Sequence, residues 1–440
     1  MNRVSKGLLS LAILGLGATP VVSYATNGYF LIGFGAKSRA MGGAGVAYGQ
    51  DGLASAINPA TMADVGDRFD IGGEFFNPPR AIKHDSSQLP SDVQSNHDIF
   101  LIPNMGGVWK YNDKINYGFA FIGAGSQTEY AQDGTSSNVL YDFNSLGGTE
   151  AGVELVQMQL TPSISYKVDS THTVGVTAVV GIQVFRAEGL GAFGDLGFTA
   201  SNENFTDEGH DYSYGGGIRL GWLGKFADDK LNVGFNYSSK VYMSRFRDYS
   251  NLFAEQGDFD IPENYTLGIA YAVNDDINVL FDVQRINYSG VASINNPGPL
   301  PEDPDAFFPA GIGVTGLDNG MGFGWSDMTV YKLGVDYQHS EKWTFRAGLN
   351  YGETPIQNDQ LLFNQLAPAV VEMHVTLGLT YVIDEDFEVS ANFMHAFENE
   401  LTGKTPFYPD GVTNYEDLTE DNIAINMEQT SLGVSLGIKF

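Results

Sequence analysis

Seven histidines, no cysteine and 53 carboxylates are the side chains from which this chain would have to build a reactive centre. None of the histidines stands in HxxxH or HExxH spacing, so the sequence offers no basis for a catalytic zinc on one helix face. The absence of Cys removes thiolate metal sites, thiol nucleophiles and disulfide frameworks. The small-residue stretch 33–45, GFGAKSRAMGGAG, invites a phosphate-loop reading. It fails, because GxxxxGK[ST] spacing is missing and no strand pattern precedes the glycines. No Ser and His are arranged as a recognisable nucleophile pair. No catalytic residue, metal or cofactor is expected.

The elements that would position any site are set first by compartment. Residues 1–25 read as a signal peptide: Arg3 and Lys6, an apolar core over 8–17, then Ser23 and Ala25 at the positions before a cleavage site. That core is well short of the roughly 20 residues a spanning helix needs. A net charge of -30 without a basic cluster argues against a nucleic-acid partner.

From Arg68 onward, apolar and small or polar residues alternate, the period of a strand with two differently solvated faces. In the last segment Leu432, Val434, Leu436, Ile438 and Phe440 share one face, and Ser431, Gly433, Ser435, Gly437 and Lys439 the other. Fourteen such segments are predicted, over 69–78, 99–111, 115–129, 153–168, 172–186, 212–226, 230–243, 263–273, 277–289, 326–338, 342–352, 372–383, 387–398 and 430–440. Short polar turns such as Asn112-Asp113-Lys114, Asp169-Ser170-Thr171 and Asn274-Asp275-Asp276 alternate with long connections such as 187–211, 290–325 and 399–429. Short turns on one side and long loops on the other are the asymmetry of outer-membrane barrels. Because an unpaired backbone group in hydrocarbon costs several kcal/mol, such a sheet must close. The fold class predicted is therefore an all-β membrane protein, a 14-stranded antiparallel transmembrane β-barrel over 68–440. Its lumen lies between barrels that side chains fill, at about eight strands, and open porins, at about 16 to 18.

Residues 26–67 do not alternate, and are expected to form an N-terminal hatch of short helices inside the lumen. Asp51-Gly52-Leu53-Ala54-Ser55-Ala56-Ile57 leads into Asn58-Pro59-Ala60, where the proline bars continuation of a helix through Asn58.

With Asn58-Pro59-Ala60 after a Gly-rich start, Pro103-Asn104-Met105, Pro262-Glu263, Trp343-Thr344-Phe345-Arg346-Ala347-Gly348, Thr354-Pro355 and a terminal Phe440, the sequence resembles the FadL-type transporters of outer membranes, which carry long-chain fatty acids or toluene-like hydrocarbons. The resemblance implies fourteen strands, an internal hatch, and a third strand that bends inward to open the wall beside the Asn-Pro-Ala segment. Gly125 falls where the family bends, and Gly123 and Gly125 interrupt a strand pattern, as at a bulge or close approach. It implies passive uptake of hydrophobic small molecules, most of all long-chain fatty acids, with lateral release; alkanes or aromatic hydrocarbons by the same route, and a general diffusion porin, remain as alternatives. Loop residues Phe307, Phe308, Leu361, Leu362 and Phe363 are candidate groove walls. The family's basic pocket positions fall near Gly189 and Ser326, neither of them basic, with Arg186 the nearest substitute and Arg219 and Arg346 further candidates. Expected partners are outer-membrane lipids and lipopolysaccharide, and the barrel assembly machinery through the C-terminal strand. Acidic runs such as Glu302-Asp303-Pro304-Asp305 read either as solvated loop surface or as sites for cations bridging to lipopolysaccharide phosphate, the first being commoner.

Overall fold

A computed structural model describes residues 27–85, 91–131, 150–195, 197–300, 311–405 and 417–440. The signal segment, Phe307 and Phe308, and the acidic run at 302–305 lie outside the described residues. Fourteen barrel strands form one closed antiparallel sheet. They are β1 (Arg68–Asn77 and Arg80–His84), β2 (Ser91–Gln94 and Phe100–Lys110), β3 (Ile115–Ala131), β4 (Glu150–Leu160 and Ser163–Lys167), β5 (His172–Glu188), β6 (Asp211–Phe226), β7 (Leu231–Ser238 and Tyr242–Met243), β8 (Asn264–Ala272), β9 (Ile277–Ile286), β10 (Met328–Gln338), β11 (Trp343–Gly352), β12 (Met373–Val382), β13 (Phe387–Gly403) and β14 (Ile423–Lys439). Closure comes from β1 against β14, in register from Arg68↔Lys439 to Asn77↔Thr430. Prolines, which lack the N–H a ladder needs, stand at the breaks in β1 (Pro78 and Pro79) and β4 (Pro162).

The short turns form for a local reason. Asn112, Asp169, Asn274 and Asp384 each accept two backbone N–H groups on their own side-chain oxygen, at 2.7–3.0 Å, closing the chain within three residues. Outward-facing Leu, Val and Ile fill the middle of the wall, with aromatic residues such as Tyr117, Trp343 and Phe345 exposed near the turns and Tyr212, Tyr214 and Tyr242 near the loops. These are the two interfacial girdles of a membrane barrel.

Four strands clearly outrun the sequence expectation. β14 begins at Ile423 rather than near 430, and β13 runs to Gly403. Along β14 the buried face stays the same, but its chemistry inverts: Ser431, Gly433 and Ser435 give way to Ile423, Ile425 and Met427. Apolar side chains face lipid within the membrane and face inward beyond it, so the outward pattern stops where the strand continues. β1 and β2 likewise continue through Arg80–His84 and Ser91–Gln94.

Residues 27–67 pack against the buried face of the wall strands. They contain α1 (Gly35–Arg39), α2 (Ala54–Ile57) and a 3₁₀ turn (Pro59–Asp64). Inward-facing glycines of the wall let this segment approach backbone to backbone. A Cβ on Gly348 would lie 2.1 Å from the Met41 carbonyl carbon, on Gly234 2.2 Å from the Val46 oxygen, and on Gly106 2.4 Å from the Gly52 oxygen. Side chains of the wall complete the attachment. Asp282 accepts the Gly45 and Val46 N–H groups (2.8 and 3.0 Å), Lys332 donates to the Ile32 carbonyl (2.8 Å), and Arg39 pairs with Glu74.

Candidate functional site

Two cavities stack inside the barrel. The one at the loop end encloses about 1080 Å³ of empty space, its mouth included. Its walls come from many separated stretches, among them Gly28 and Tyr29, Gly125 and Ser126 of β3, Val153 and Leu155 of β4, Phe185 of β5, Phe193 and Phe205, Phe253 and Phe259, Ser293 and Ile294, Trp325, Phe363, 366–369 and Met427. No Asp, Glu, Lys, Arg or His stands among the described lining residues. Aromatic edges pack it: Phe185 meets Tyr249 and Phe253 edge-on at 4.8 and 4.7 Å, and Phe193 meets Phe363 at 5.3 Å. Such a chamber recognises apolar area rather than charge.

The second cavity, about 900 Å³, lies nearer the turns and is the more polar of the two: Gln157, Arg219, Asn236, Asp282, Gln284 and Lys332 share its walls with apolar residues such as Leu31, Ile32, Ile122 and Ile261. Tyr29 borders both. It belongs to a tight turn in which the Asn27 and Phe30 backbones bond to each other at 2.9 and 3.2 Å. Tyr288 holds this turn by donating to the Asn27 carbonyl (2.6 Å), and Trp325 meets Tyr288 edge-on at 5.1 Å. Burial raises the Tyr29 hydroxyl well above its ordinary range, so it stays protonated. Gly28 takes a left-handed φ of 68°, and a Cβ there would sit 2.1 Å from the Tyr288 hydroxyl. Gly28→Val should therefore push the turn off Tyr288 and raise ion leakage through the purified barrel severalfold in planar bilayers; unchanged conductance would mean the turn is no partition.

The wall beside these cavities is incomplete. β2 and β3 pair from Lys110↔Asn116 to Asn104↔Ile122, and the ladder then stops. Among the described residues the next backbone bond across this seam is from the Asn96 N–H to the Glu129 carbonyl, 2.8 Å. β3 itself runs unbroken against β4, from Phe121↔Leu160 to Ala131↔Glu150. The interruption begins at Gly123, which borders the polar cavity, two residues before Gly125, which borders the apolar one.

The sequence-predicted residues are distributed unevenly over this geometry. Asn58 caps the 3₁₀ turn through Ala60 N–H (3.0 Å) and donates to the Val46 and Trp222 carbonyls (2.7 and 3.1 Å). Pro59 and Ala60 lie against Gly175 of β5 and Gly221 of β6. The segment facing β3 below the interruption is instead Leu53 and Ala56, packed on Ala120 and Ile122. Phe363 lines the apolar cavity, whereas Leu361 and Leu362 in α3 (Leu361–Asn364) are buried in the core. Arg186 is paired with Glu188 (2.7 Å) and Glu154 (3.4 Å), and Arg346 with Asp336 (2.7 Å). Arg219 borders the polar cavity and donates to the Ser55 carbonyl (3.1 Å). Sequence reasoning missed Phe185, Phe193, Phe205, Phe253, Phe259 and Trp325. Their signal was weak, since each is an isolated aromatic in a loop or at a strand end. Among the described residues no three carboxylates or histidines gather as a metal site.

Residues 31–424 match the family described as outer membrane protein transport protein (OMPP1/FadL/TodX). The chain belongs to this family. Its fold is that of the Pseudomonas putida toluene transporter TodX, with a TM-score of 0.68 at 20% identity over 93% of this chain and 99% of that one. A Pseudomonas aeruginosa FadL homologue gives a TM-score of 0.65 at 16% identity, covering 96% and 99% of the two chains. A long-chain fatty acid transport protein of Escherichia coli O6:H1 is 31% identical over 81 residues, 18% of each chain. The match thus spans about a fifth of that relative's length. As a FadL/TodX-family barrel, the protein is one of the outer-membrane transport proteins.

Proposed function

We propose that this barrel takes up uncharged hydrophobic small molecules, alkanes or aromatic hydrocarbons, by passive transfer through the outer membrane. The observation that carries the reading is the cavity lined without a charged group. At roughly 0.8 kcal/mol per buried CH₂, such walls hold an alkyl or aryl solute with no energy input, while a carboxylate there would lose its hydration without a counter-ion. From the cavity the solute passes Gly125 to the interruption between β2 and β3 and leaves sideways into hydrocarbon. The second cavity favours this turn, because its walls carry Arg219, Asp282 and Lys332, which the first lacks, and an apolar solute gains less contact among them.

A second reading rests on that same polar cavity. A long-chain fatty acid with its tail in the apolar chamber would direct its carboxylate past Tyr29 towards Arg219 and Lys332. The names of the relatives, toluene transporters and a fatty acid transporter among them, are compatible with both. The deciding experiment is uptake of labelled toluene, hexadecane and oleate by cells with and without the protein. Faster toluene or hexadecane entry with unchanged oleate supports the first reading; oleate alone supports the second. No change in any of the three overturns transport.

A further inference from the structure

The interruption between β2 and β3 has two limits of different construction. At the turn end the limit is backbone, the Asn104↔Ile122 rung. At the loop end it is a side chain. Arg80 follows the two prolines that break β1 and is only 1% exposed. Its Nη1 donates to the Pro78 carbonyl (2.7 Å) on its own strand. Its Nη2 donates to Ser95 Oγ (2.8 Å) and the His97 carbonyl (2.5 Å) in the break between the two pieces of β2, and to the Gln127 carbonyl (2.5 Å) on β3. One guanidinium thus joins three strands, and the two carbonyls it bridges, His97 and Gln127, come from opposite edges of the interruption. Beyond it the seam is closed again: Asn96 N–H reaches Glu129 O (2.8 Å), and Glu129 N–H reaches Ser95 Oγ (3.1 Å). The Arg80 guanidinium also lies over the Phe100 ring, 5.9 Å from its centroid.

A cation buried in this position is costly unless its donors are used. Here Nη1 and Nη2 reach the Pro78, His97 and Gln127 carbonyls and the Ser95 hydroxyl, which is a use for a side chain that holds two edges at a fixed spacing. The forked geometry matters, since a lysine ammonium cannot reach acceptors on three strands at once.

We infer that Arg80 is a positioning residue that sets the loop-end limit of the wall opening, and with it the girth of solute that can leave. The inference rests on the sideways exit proposed above. Without the guanidinium the His97 and Gln127 carbonyls lose their common partner, the edges part, and the opening lengthens towards Asn96.

The test compares uptake of a slender solute, hexadecane, with a bulky one, adamantane, in cells carrying Arg80→Ala, Arg80→Lys or the unchanged protein. Insertion is checked by heat-modifiable migration. Loss of a charge-assisted bond from the closed form predicts a rise of about tenfold in the adamantane-to-hexadecane ratio for Arg80→Ala. Faster amide hydrogen exchange over 95–103 and 123–129 is expected with it, and a smaller rise in Arg80→Lys. An unchanged ratio with unchanged exchange in an inserted variant overturns the role of Arg80. Should Arg80→Ala not insert, the lysine variant alone decides by the same two readouts. Failure of the exit route itself is distinguished by Gly123→Phe in the Arg80 background: if that leaves uptake of both solutes intact, the route is wrong, whatever Arg80 does.

Discussion

Glu388→Ala should free the luminal segment from the wall while leaving the barrel closed. Glu388 is 5% exposed and is shared by three cations: Lys37 Nζ at 2.5 Å, Arg68 Nη2 at 2.8 Å and Lys439 Nζ at 3.0 Å. Lys37 belongs to α1, so this carboxylate ties the segment to β13. Arg68 also binds Asp70 at 2.6 and 2.7 Å, and Asp70 takes the Gly52 N–H at 2.7 Å, which fixes a second point of the same segment. Removing one partner of a buried ion pair costs about 3–5 kcal/mol, because the other charge stays buried without compensation. Burial and the neighbouring Arg68 already lower the Lys37 ammonium below its ordinary range, so Lys37 can shed its proton once Glu388 is gone, which limits the loss. The strand ladders do not depend on this cluster. The expected result is a heat-modifiable barrel with a lower unfolding midpoint and a large rise in single-channel conductance. Wild-type conductance together with wild-type stability would show that the cluster does not hold the segment.

Gly123→Phe should bring hydrocarbon uptake down to that of cells lacking the protein. A Cβ at this position finds its nearest neighbours at 3.8 and 3.9 Å, the carbonyls of Pro103 and Gln157, so a side chain is accepted without displacing the strand. The ring would then stand in the interruption between β2 and β3. The apolar cavity, whose lining includes Gly125 rather than Gly123, should keep its affinity, followed through the fluorescence of Trp325 at its wall. Binding retained with transport lost is the signature of a blocked exit. Uptake at the wild-type rate in an inserted variant would place the exit elsewhere.

The two features behind these predictions were unequally legible beforehand. That 26–67 break the alternation was visible, and the close approach of Met41, Val46 and Gly52 to wall glycines accounts for the Gly-rich lumen face. Which wall charges meet which luminal residues was not, since Lys37 and Glu388 are 351 positions apart. A bend was expected at Gly125 of β3; what the structure shows is that the β2–β3 ladder ends at the Asn104↔Ile122 rung, a fact about pairing with a neighbour rather than about β3 itself. Of the candidate walls at 361–363, Phe363 lines the cavity, while Leu361 and Leu362 are buried in the core.

Strand number, the antiparallel closed sheet and the short turns were determined by the sequence alone, because a two-residue pleat and a side-chain-capped turn are properties of a few consecutive residues. The tertiary structure decided which face is apolar at each height, since the surroundings outside the sheet change from lipid to water along one strand and Ile423, Ile425 and Met427 turn their side chains inward accordingly. It also decided the cavity and the broken seam. Both arise where distant segments converge, and no local pattern encodes the contacts that a closed cylinder imposes.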